Sequence, residues 1–434
     1  MEKIIPNITY TLNHNLCLGC GICQSACPSN AIIIIVKNGR FIPHIDKTKC
    51  KNDRGCHRCH DICPGLGIDL KRIANEQFTD EQIKSDAWVG SYLKCFTGHS
   101  NNEEIRYHSA SGGMVSQFLI FLLEKGYIDG AVVTAFDSRN ELMVHSYIAH
   151  NREEVLQAKG SKYAPVSLHG MSQAIKKEKG SRYVIVGLPC HIQGFRKLEE
   201  KDRKFKEKIA GYFAIYCSSG RTFYLTEHVF KERGIHKENL TYFAYRDEGC
   251  LGYLVAKQQD GDSADNVNKE NNIYKERYQS YYHPLRSFFI PRRCLFCIDH
   301  YGELGDVCFG DIHIKPYMDD KIGINSLIVR KKKWLDLLEE AQKEGIITLD
   351  EITVETLNTS QKMAGKKKGR NERFIVLNKR FGHVVPIYDI PLPKKFGLKT
   401  VLDYAQNRAQ QFLGCHKSLW WLVSKLKKDT SNYE

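Results

Sequence analysis

The sequence contains no apolar run that could cross a membrane. A spanning helix needs about 18 or more consecutive apolar residues, and the stretch FLIFLL at 118–123 is far shorter. The first residues, MEKIIPNITYTLNHN, also lack the hydrophobic region of a signal peptide. From these absences we expect a cytoplasmic protein.

Aromatic residues are missing from the basic runs. The formal net charge is +14, and the basic runs are Lys331–Lys333, Lys366–Lys368 and SKLKKD at 424–429. None alternates with aromatic residues as a surface for single-stranded nucleic acid does. We therefore expect no nucleic-acid partner. The charge favours an acidic electron-transfer partner, a phosphorylated cofactor or the anionic inner face of a membrane.

Disulfides are not expected, although the chain has 16 cysteines. In a reducing cytoplasm, cysteines act as thiols, metal ligands or redox groups. The chain of 434 residues is long enough for two or three domains, and its 42% hydrophobic content is enough for a sizeable core.

The cysteines near the N-terminus follow the spacing of bacterial ferredoxins. Residues 17–28 read CLGCGICQSACP, which is Cys-x2-Cys-x2-Cys-x3-Cys-Pro. Residues 50–64 read CKNDRGCHRCHDICP, with the same ending but a longer first interval. In a two-cluster ferredoxin the cysteine before each proline ligates the other cluster. We therefore assign one [4Fe–4S] cluster to Cys17, Cys20, Cys23 and Cys63, and a second to Cys50, Cys56, Cys59 and Cys27.

Zinc is the main alternative for these cysteines. Zinc sites usually combine two separated Cys-x2-Cys pairs, whereas three cysteines at two-residue intervals suit a cubane. His57 and His60 lie inside the second block, where they could be zinc ligands, hydrogen-bond donors or solvated residues. A zinc-stapled interaction protein therefore stays open as one interpretation.

The remainder of the chain alternates buried strands with helices. Strands are predicted at 128–136, 183–187 and 211–217, and an apolar helix opens after SASGG at 109–113, with Ser111 as its N-cap. A polar loop is predicted at 258–272. The tail LWWLVSKLKK pairs apolar and basic faces, so it predicts a helix that packs on the body or lies on a membrane surface.

Three domains follow from this pattern. Residues 1–72 form an α+β ferredoxin-like head with two clusters. Residues 85–350 form an α/β mixed-sheet domain. Residues 351–434 form a basic, mainly helical C-terminal tail.

Further cysteines lie where the predicted strands end. Cys190 and Cys217 follow two strands, and Cys294-x2-Cys297 is half a metal site. Strand ends meet at one edge of an α/β sheet, so these four cysteines are candidates for a third [4Fe–4S] cluster. The alternative is that they are buried free cysteines. Cys308 is a reserve ligand, and we expect Cys95, Cys250 and Cys415 to be inert.

Four motifs in order resemble the coenzyme F420 hydrogenase/dehydrogenase beta-subunit family over residues 1–315. They are SASGGMVSQFLIFLLEKGYIDGAVV, KGSKYAPV, VIVGLPCHIQGFRKL and CLFCIDHYGELGDVCFGD. The resemblance implies a flavoprotein with FAD and [4Fe–4S] clusters. The ferredoxin head and the long basic tail resemble bacterial members found with polysaccharide-biosynthesis enzymes, so F420 itself is not the expected substrate.

The resemblance also implies roles for individual residues. The flavin-binding residues would be Ser111, Gly112, Gly113, Ser161, Lys162 and Tyr163. Lys162 would stabilise negative charge on the reduced flavin. Among acids and bases, His191 beside Cys190 is the best-placed catalytic candidate, or else a hydrogen-bond donor to cluster sulfur.

These inferences predict an iron–sulfur flavoprotein oxidoreductase. Its expected partners are a redox donor, such as ferredoxin or a reduced deazaflavin, and a small, possibly sugar-derived substrate; peripheral membrane contact would use the C-terminal helix. The alternative within redox chemistry is an electron-transfer subunit without a substrate site of its own.

Overall fold

The protein is described by a computed structural model that covers residues 6–136, 144–259, 272–285 and 287–427. The loop predicted at 258–272 lies almost entirely outside these residues.

The N-terminal head is built from short elements around its cysteines. They are α1 (Ile8–Asn13), α2 (Ile22–Ala26), β1 (Ile32–Lys37), β2 (Arg40–Ile45), α3 (Arg58–Asp61), β3 (Gly67–Ile68) and α4 (Leu70–Gln77). β1 and β2 form an antiparallel hairpin around Asn38 and Gly39. Both turn residues have positive φ, at 50° and 66°, as a tight two-residue hairpin turn requires. The head is therefore a unit of short helices and strands that holds its cysteines on these elements and on the segments between them.

The central region alternates strands and helices. Its elements are β4 (Lys84–Asp86), β5 (Gly90–Tyr92), β6 (Lys94–Ser100), α5 (Glu103–Tyr107), α6 (Met114–Glu124), β7 (Gly130–Phe136), β8 (Val144–Ala149), α7 (Arg152–Gln157), α8 (Met171–Lys177), β9 (Tyr183–Gly187), α9 (Pro189–Glu199), α10 (Arg203–Lys206), β10 (Ile209–Ile215), α11 (Phe223–Arg233), β11 (Leu240–Asp247), β12 (Tyr253–Gln258), β13 (Ile273–Arg277), α12 (Tyr278–Leu285), β14 (Val307–Asp311), β15 (Asn325–Val329), α13 (Lys332–Lys343) and β16 (Ile347–Ile352).

Eight of these strands form one mixed sheet in the order β16-β6-β15-β14-β10-β9-β7-β8. The neighbours β7, β9, β10 and β14 run parallel to one another, while β8 and β15 run antiparallel to the strands beside them. Parallel strands are covered on both faces and therefore read as nearly continuous apolar runs, as in YVIVG at 183–187. The predicted α/β mixed-sheet domain is confirmed.

The parallel strands bring their carboxyl ends to one edge of the sheet. β9, β10 and β14 end at Gly187, Ile215 and Asp311. Segments that follow them therefore meet at this edge, which we call the carboxyl edge. Binding sites of α/β sheets form at such edges.

Helix α6 fills one side of the sheet. Phe118 stacks on Phe213 of β10 at 5.6 Å between ring centroids, and Trp334 of α13 packs edge-on to Phe213 at 5.0 Å. The helix begins at Met114, later than predicted, and its N-cap is Gly113 rather than Ser111. The reason is that the Asn325 side chain reaches across from β15 and accepts a hydrogen bond from the Met114 N–H.

The C-terminal region is mostly helical in the part that is described. Its elements are α14 (Val354–Ser360), α15 (Lys362–Arg380), β17 (Ile387–Tyr388), α16 (Leu398–Cys415) and α17 (Trp420–Leu426). Trp420 and Val423 of α17 are buried in a core shared with α11. Lys417 and Lys427 pair with Glu227 and Glu232 of α11. The amphipathic tail thus packs on the body.

No helix in the described segments is both long enough and apolar enough to span a bilayer.

Candidate functional site

The structure gathers four thiols of the head into an inner group: Cys17, Cys20, Cys23 and Cys63. Burial, and after it the neighbouring Cys63 thiol, raises the pKa of Cys17 to about 11. Burial also raises the pKa of Cys23 well above its ordinary value, together with Cys20, Cys17 and Cys63. Buried thiolates that repel one another require a positive group between them, which the irons of a cluster supply.

A second set forms the outer group: Cys50, Cys56, Cys59 and Cys27. Burial raises the pKa of Cys59 to about 11, and the thiols of Cys27, Cys56 and Cys50 contribute. Cys27 thus lies with the second cysteine block and Cys63 with the first, which is the crossed arrangement expected from the sequence. The Ala31 N–H also donates to Cys27 Sγ at 3.2 Å.

A third group lies at the carboxyl edge: Cys190, Cys217, Cys294 and Cys297. Cys190 lies in the first turn of α9, Cys217 follows β10, and the other two belong to or follow the short 3-10 turn Arg292–Phe296. Burial raises the pKa of Cys190 well above its ordinary value, with contributions from the other thiols of the group. The Gly220 N–H donates to Cys294 Sγ at 3.3 Å.

Helix α15 holds the third group in place. Lys367 Nζ donates to the carbonyls of Cys217 at 2.7 Å and Asp299 at 2.9 Å. Asn371 Nδ2 donates to the carbonyls of Cys294 at 3.1 Å and Cys297 at 2.7 Å. Burial opposes the charge of Lys367, but the adjacent thiolates and Asp299 raise its pKa. Sequence reasoning missed both residues, because it saw only a basic run at 366–368.

The three groups follow one another in space. Cys59 of the outer group contributes to the raised pKa of Cys23 in the inner group. Cys20 of the inner group contributes in the same way to the raised pKa of Cys190. The order is therefore outer, inner, third.

Close packing fixes the head against the body at this junction. The Leu168 N–H donates to the Cys20 carbonyl at 2.9 Å. A Cβ on Gly194 of α9 would lie 2.4 Å from Ile22 Cδ1, so the helix and the head pack closely at this glycine. Arg293, which precedes Cys294, donates from Nε to the Gly65 carbonyl at 2.7 Å. The inner and third groups are thus held by adjoining backbone.

The donor set fits iron–sulfur clusters better than single metal ions. A zinc site needs four donors about 2.0–2.3 Å from one ion. Across the described ranges, no three His, Cys, Asp or Glu side chains converge on a single ion position. A cubane instead binds each thiolate through a separate iron, so its ligands stand further apart. Groups of four neighbouring thiols suit that arrangement.

The third group borders a cavity whose lining includes Ala164 to Val166 of the KGSKYAPV motif but none of the six predicted flavin-binding residues. Its lining includes Arg40, Phe41, Val166 and Arg221 beside the four thiols. Arg221 is buried, and its Nε has no hydrogen-bond partner within the described part of the chain. A buried, unpaired donor points to a polar ligand.

The Ser111–Gly113 turn lies at the carboxyl edge, where the chain itself supplies most of its contacts. Ser111 Oγ donates to the Ile324 carbonyl at 2.7 Å. A Cβ on Gly112 would lie 2.7 Å from the Gly98 carbonyl oxygen. Close packing thus accounts for this glycine, and the Met114 N–H is already bonded to Asn325.

Lys162 closes its own turn. Its Nζ donates to the carbonyls of Ala158, Lys159 and Gly160, at 2.5, 2.7 and 3.1 Å. Burial lowers the pKa of Lys162 to about 7. Its donors are therefore directed at the backbone rather than at a ligand.

Tyr163 belongs to a stack of three tyrosines that sequence reasoning did not find. Its ring lies 4.2 Å from that of Tyr282 and 5.4 Å from that of Tyr278, between centroids. Arg221 lies over Tyr282 and Arg246 over Tyr278, each at 4.8 Å. This stack extends from the third group toward Asp311, whose carboxylate accepts a hydrogen bond from Arg246 at 2.7 Å.

His191 is a buried, neutral side chain. Its Nδ1 accepts from the Leu188 N–H at 3.1 Å, and its Nε2 donates to the Val166 carbonyl at 3.2 Å. Burial lowers the pKa of His191 to about 4. Since both ring nitrogens are hydrogen-bonded to backbone groups, His191 holds the backbone at Val166 in place rather than transferring a proton.

The other cysteines lie outside these groups. Cys308, the reserve ligand, accepts from Arg330 Nη1 at 2.7 Å within the core. Cys95 is buried, with a pKa that burial raises to about 12. Cys415 is exposed.

Comparison with known proteins identifies the parts of the chain. Residues 95–173 and 180–355 match the family models for the N-terminal and C-terminal parts of the coenzyme F420 hydrogenase/dehydrogenase beta subunit. Residues 12–89 match the 4Fe-4S dicluster domain. The head is thus a dicluster domain.

Individual relatives are more distant. The chain is 23% identical to coenzyme F420 hydrogenase subunit beta of Methanococcus voltae, over 68% of this chain and 99% of that protein. It is 25% identical to coenzyme F420-dependent sulfite reductase of Methanocaldococcus jannaschii, over 79% of this chain, but the match spans only about half of that relative, at 48%.

A solved structure has the same fold. It is a chain of the F420-reducing [NiFe] hydrogenase complex from Methanosarcina barkeri, with a TM-score of 0.55 and 18% identity, over 70% of this chain and 98% of that one. Together, the matched models and the shared fold show that the chain belongs to the coenzyme F420 hydrogenase/dehydrogenase beta-subunit family.

Proposed function

We propose that the chain is an iron–sulfur flavoprotein oxidoreductase with three [4Fe–4S] clusters and FAD. The observation that carries the proposal is the spatial order of three groups of four thiols, outer, inner and third. The named activities of the relatives, a hydrogenase subunit and a sulfite reductase, support redox chemistry.

The three thiol groups would each hold one cluster. Clusters of this kind transfer single electrons. The chain's own part is to bury the thiols and to direct N–H groups at sulfur, as Ala31 and Gly220 do. Such donors stabilise negative charge on the ligands. Lys367 and Asn371 fix the backbone of the third group, so its four ligands keep their spacing.

FAD would be held along the carboxyl edge beside Ser161 and Tyr163. The Ser111–Gly113 turn, whose polar groups bond to the chain itself, would form one wall of that site. A bound flavin collects two electrons and delivers them together as hydride. Support comes from the tyrosine stack beside the third group and from the unpaired Nε of Arg221. Lys162 supports the turn through its three carbonyl contacts, and His191 keeps Val166 against α9.

The proposed substrate is a small organic molecule, and the proposed partners are a redox donor and a membrane surface. A small organic substrate, sugar-derived in a polysaccharide pathway, rests on the family resemblance alone. Membrane contact through α17 rests on the apolar and basic faces of its sequence. A reduced deazaflavin as donor draws on the relatives named for F420. We retain the proposed division into residues 1–72, 85–350 and 351–434.

A second candidate function is an electron-transfer subunit that feeds a partner enzyme. The observation in its favour is that one relative is named as a hydrogenase subunit and that the solved structure comes from a complex. Reduction of a small molecule by the purified chain alone would contradict this candidate.

Anaerobic purification followed by assay of iron, sulfide and flavin tests the main proposal. Three cubanes predict about twelve irons and about twelve sulfides per chain, together with about one FAD. About eight irons would reject the third cluster and leave the head intact. Zinc in place of iron would reject the redox proposal, and absence of flavin would reject its FAD part.

A further inference from the structure

We propose that a basic rim around the outer group is the docking surface for a soluble one-electron carrier protein with an acidic face. The inference rests on the proposed function, since it assumes that the outer group holds a cluster. The basic rim comprises Lys47, Lys49, Lys51, Arg54, Arg58, Lys201, Lys204 and Lys206.

The rim is built from two segments that meet at the outer group. Residues 47–59 read KTKCKNDRGCHRC, with five basic residues, one acid and three of the four outer thiols. Arg58 Nη2 donates to the Lys201 carbonyl at 2.6 Å. This contact brings the basic segment 201–206, which contains α10, beside α3. Basic residues of both segments thus flank α3, which carries Cys59 of the outer group.

Much of this positive charge is not neutralised by the chain. Lys47, Lys51 and Arg54 are exposed, and their side chains make no hydrogen bond or ion pair with the rest of the described residues. One acid, Asp53 between Lys51 and Arg54, is exposed and offsets one of these charges. Other acids nearby are engaged by the chain. Asp46 pairs with Lys49, and Asp61 with His57.

Asp202 is paired as well, with Lys176 at 2.7 Å. The eight basic residues of the rim thus outnumber the four acids Asp46, Asp53, Asp61 and Asp202. The rim therefore presents a net positive field to solvent. Such a field steers and orients a partner of opposite charge.

The outer group is the suitable point of electron entry. Three of the four inner thiols, those of Cys20, Cys23 and Cys63, are buried, and the inner group lies against the body. In the outer group only Cys59 is buried, while Cys50, Cys56 and Cys27 are partly exposed. The outer group also lies at the opposite end of the series from the third group. A carrier docked on the rim would give up one electron and be oxidised, while one cluster of the head is reduced by that electron.

Reversal of three rim charges tests the surface. The variant K47E/K51E/R54E changes exposed, unpartnered residues, so its fold is expected to be preserved. The matched control is K343E/K362E/K366E, which changes net charge equally through exposed side chains of α13 and α15. The probe is an oxidised plant-type [2Fe–2S] ferredoxin, an acidic one-electron carrier, titrated against the full-length, anaerobically prepared protein at low and high salt.

We expect the rim variant to bind the ferredoxin at least tenfold more weakly than the unmodified protein at low salt. Its affinity should also depend less on salt, because fewer charge pairs remain to be screened. The control should bind within about twofold of the unmodified protein. Reduction by methyl viologen, a small cation that needs no docking surface, should not slow in either variant.

Two results would overturn the proposal: equal binding by the rim variant and the unmodified protein, or equal losses in the rim and control variants. Iron content separates this failure from failure of the proposed function. If the unmodified protein lacks the irons of the head, the proposed function fails; if those irons are present and binding is unaffected, only the docking surface is rejected.

Discussion

The head and the carboxyl edge both gather four-thiol groups, but they do so by different means. The head takes eight thiols from residues 17–63 and has a small core of its own, whose buried members include Ile8 and Ile32. The third group takes its thiols from three distant segments that a large sheet holds in place. In the head the metal supplies folding energy; at the edge the fold exists first and presents the site. Loss of metal should therefore affect the two regions very differently.

The largest effect is expected from removal of all iron. Anaerobic chelation should increase amide exchange of the head, residues 6–70, by about 100-fold or more, because its thiolate groups lose the cations that hold them together. Strands β7, β9 and β10 should exchange as before, since their core contains no metal. Hydrogen exchange with mass spectrometry makes the comparison, and a head that stays protected would show that packing alone holds it.

Cys297→Ser should remove one third of the iron. The variant loses one of four ligands of the third group, so about eight irons per chain should remain, all of them in the head. The body should stay folded, because Cys297 is only partly buried and the sheet does not depend on it. Cys415→Ser, at an exposed cysteine, is the control and should keep about twelve irons. Equal iron in both variants would contradict the prediction that the third group needs the Cys297 thiolate to keep its iron.

Lys367→Met should destabilise the backbone segments that hold the cysteines of the third group. The change removes a buried cation that donates to the carbonyls of Cys217 and Asp299, at a cost of about 3 kcal/mol in local stability. Amide exchange of the segment 292–299 measures the loss. Lys366→Met, at the exposed neighbouring position, should change it by less than about 0.5 kcal/mol. If Lys367→Met and Lys366→Met had similar effects, the proposal that Lys367 stabilises the backbone of the third group would be contradicted.

The smallest effect concerns a region remote from the thiols, where α17 packs on α11. Burial lowers the pKa of His228 to about 4, and Glu232 opposes this shift. When α17 is locally unfolded, His228 is exposed and takes up a proton below pH 6.5, whereas the buried His228 of the folded state stays neutral down to about pH 4. The free energy of local unfolding therefore decreases as the pH falls from 6.5 toward 4. Between pH 7 and pH 5.5 we expect the free energy of local unfolding of α17 to decrease by about 1 kcal/mol.

His228→Phe should remove that loss, since phenylalanine does not titrate and the site is lined by Phe289 and Trp420. Exchange rates corrected for the intrinsic effect of pH provide the measurement. An equal loss in the variant would assign the dependence to Glu232 or the lysines beside it.

The two regions also differ in how much of their structure could be predicted from the sequence. The ligand groups of the head follow from cysteine spacing and from the crossing of Cys27 and Cys63. The cysteines of the third group could be proposed because Cys190 and Cys217 follow strands that share an edge. The contacts that hold these cysteines in place could not be predicted. Lys367 and Asn371 reach the site only because α15 packs against it, and no local sequence pattern indicates that packing.

The predicted flavin residues show a similar limit. Lys162 was expected to face a ligand, but its donors point to three backbone carbonyls of its own turn. Tyr163 stacks on Tyr278 and Tyr282, which lie more than a hundred residues away in sequence and carry no motif. Contacts of this kind depend on tertiary packing rather than on spacing.

The central claim, that the third thiol group holds a cluster, is tested most directly by counting electrons. An anaerobic reductive titration of the unmodified protein and of Cys297→Ser should take up about five electrons per chain, three in clusters and two in flavin, and about four in the variant. Uptake of about four electrons by both proteins would contradict the claim.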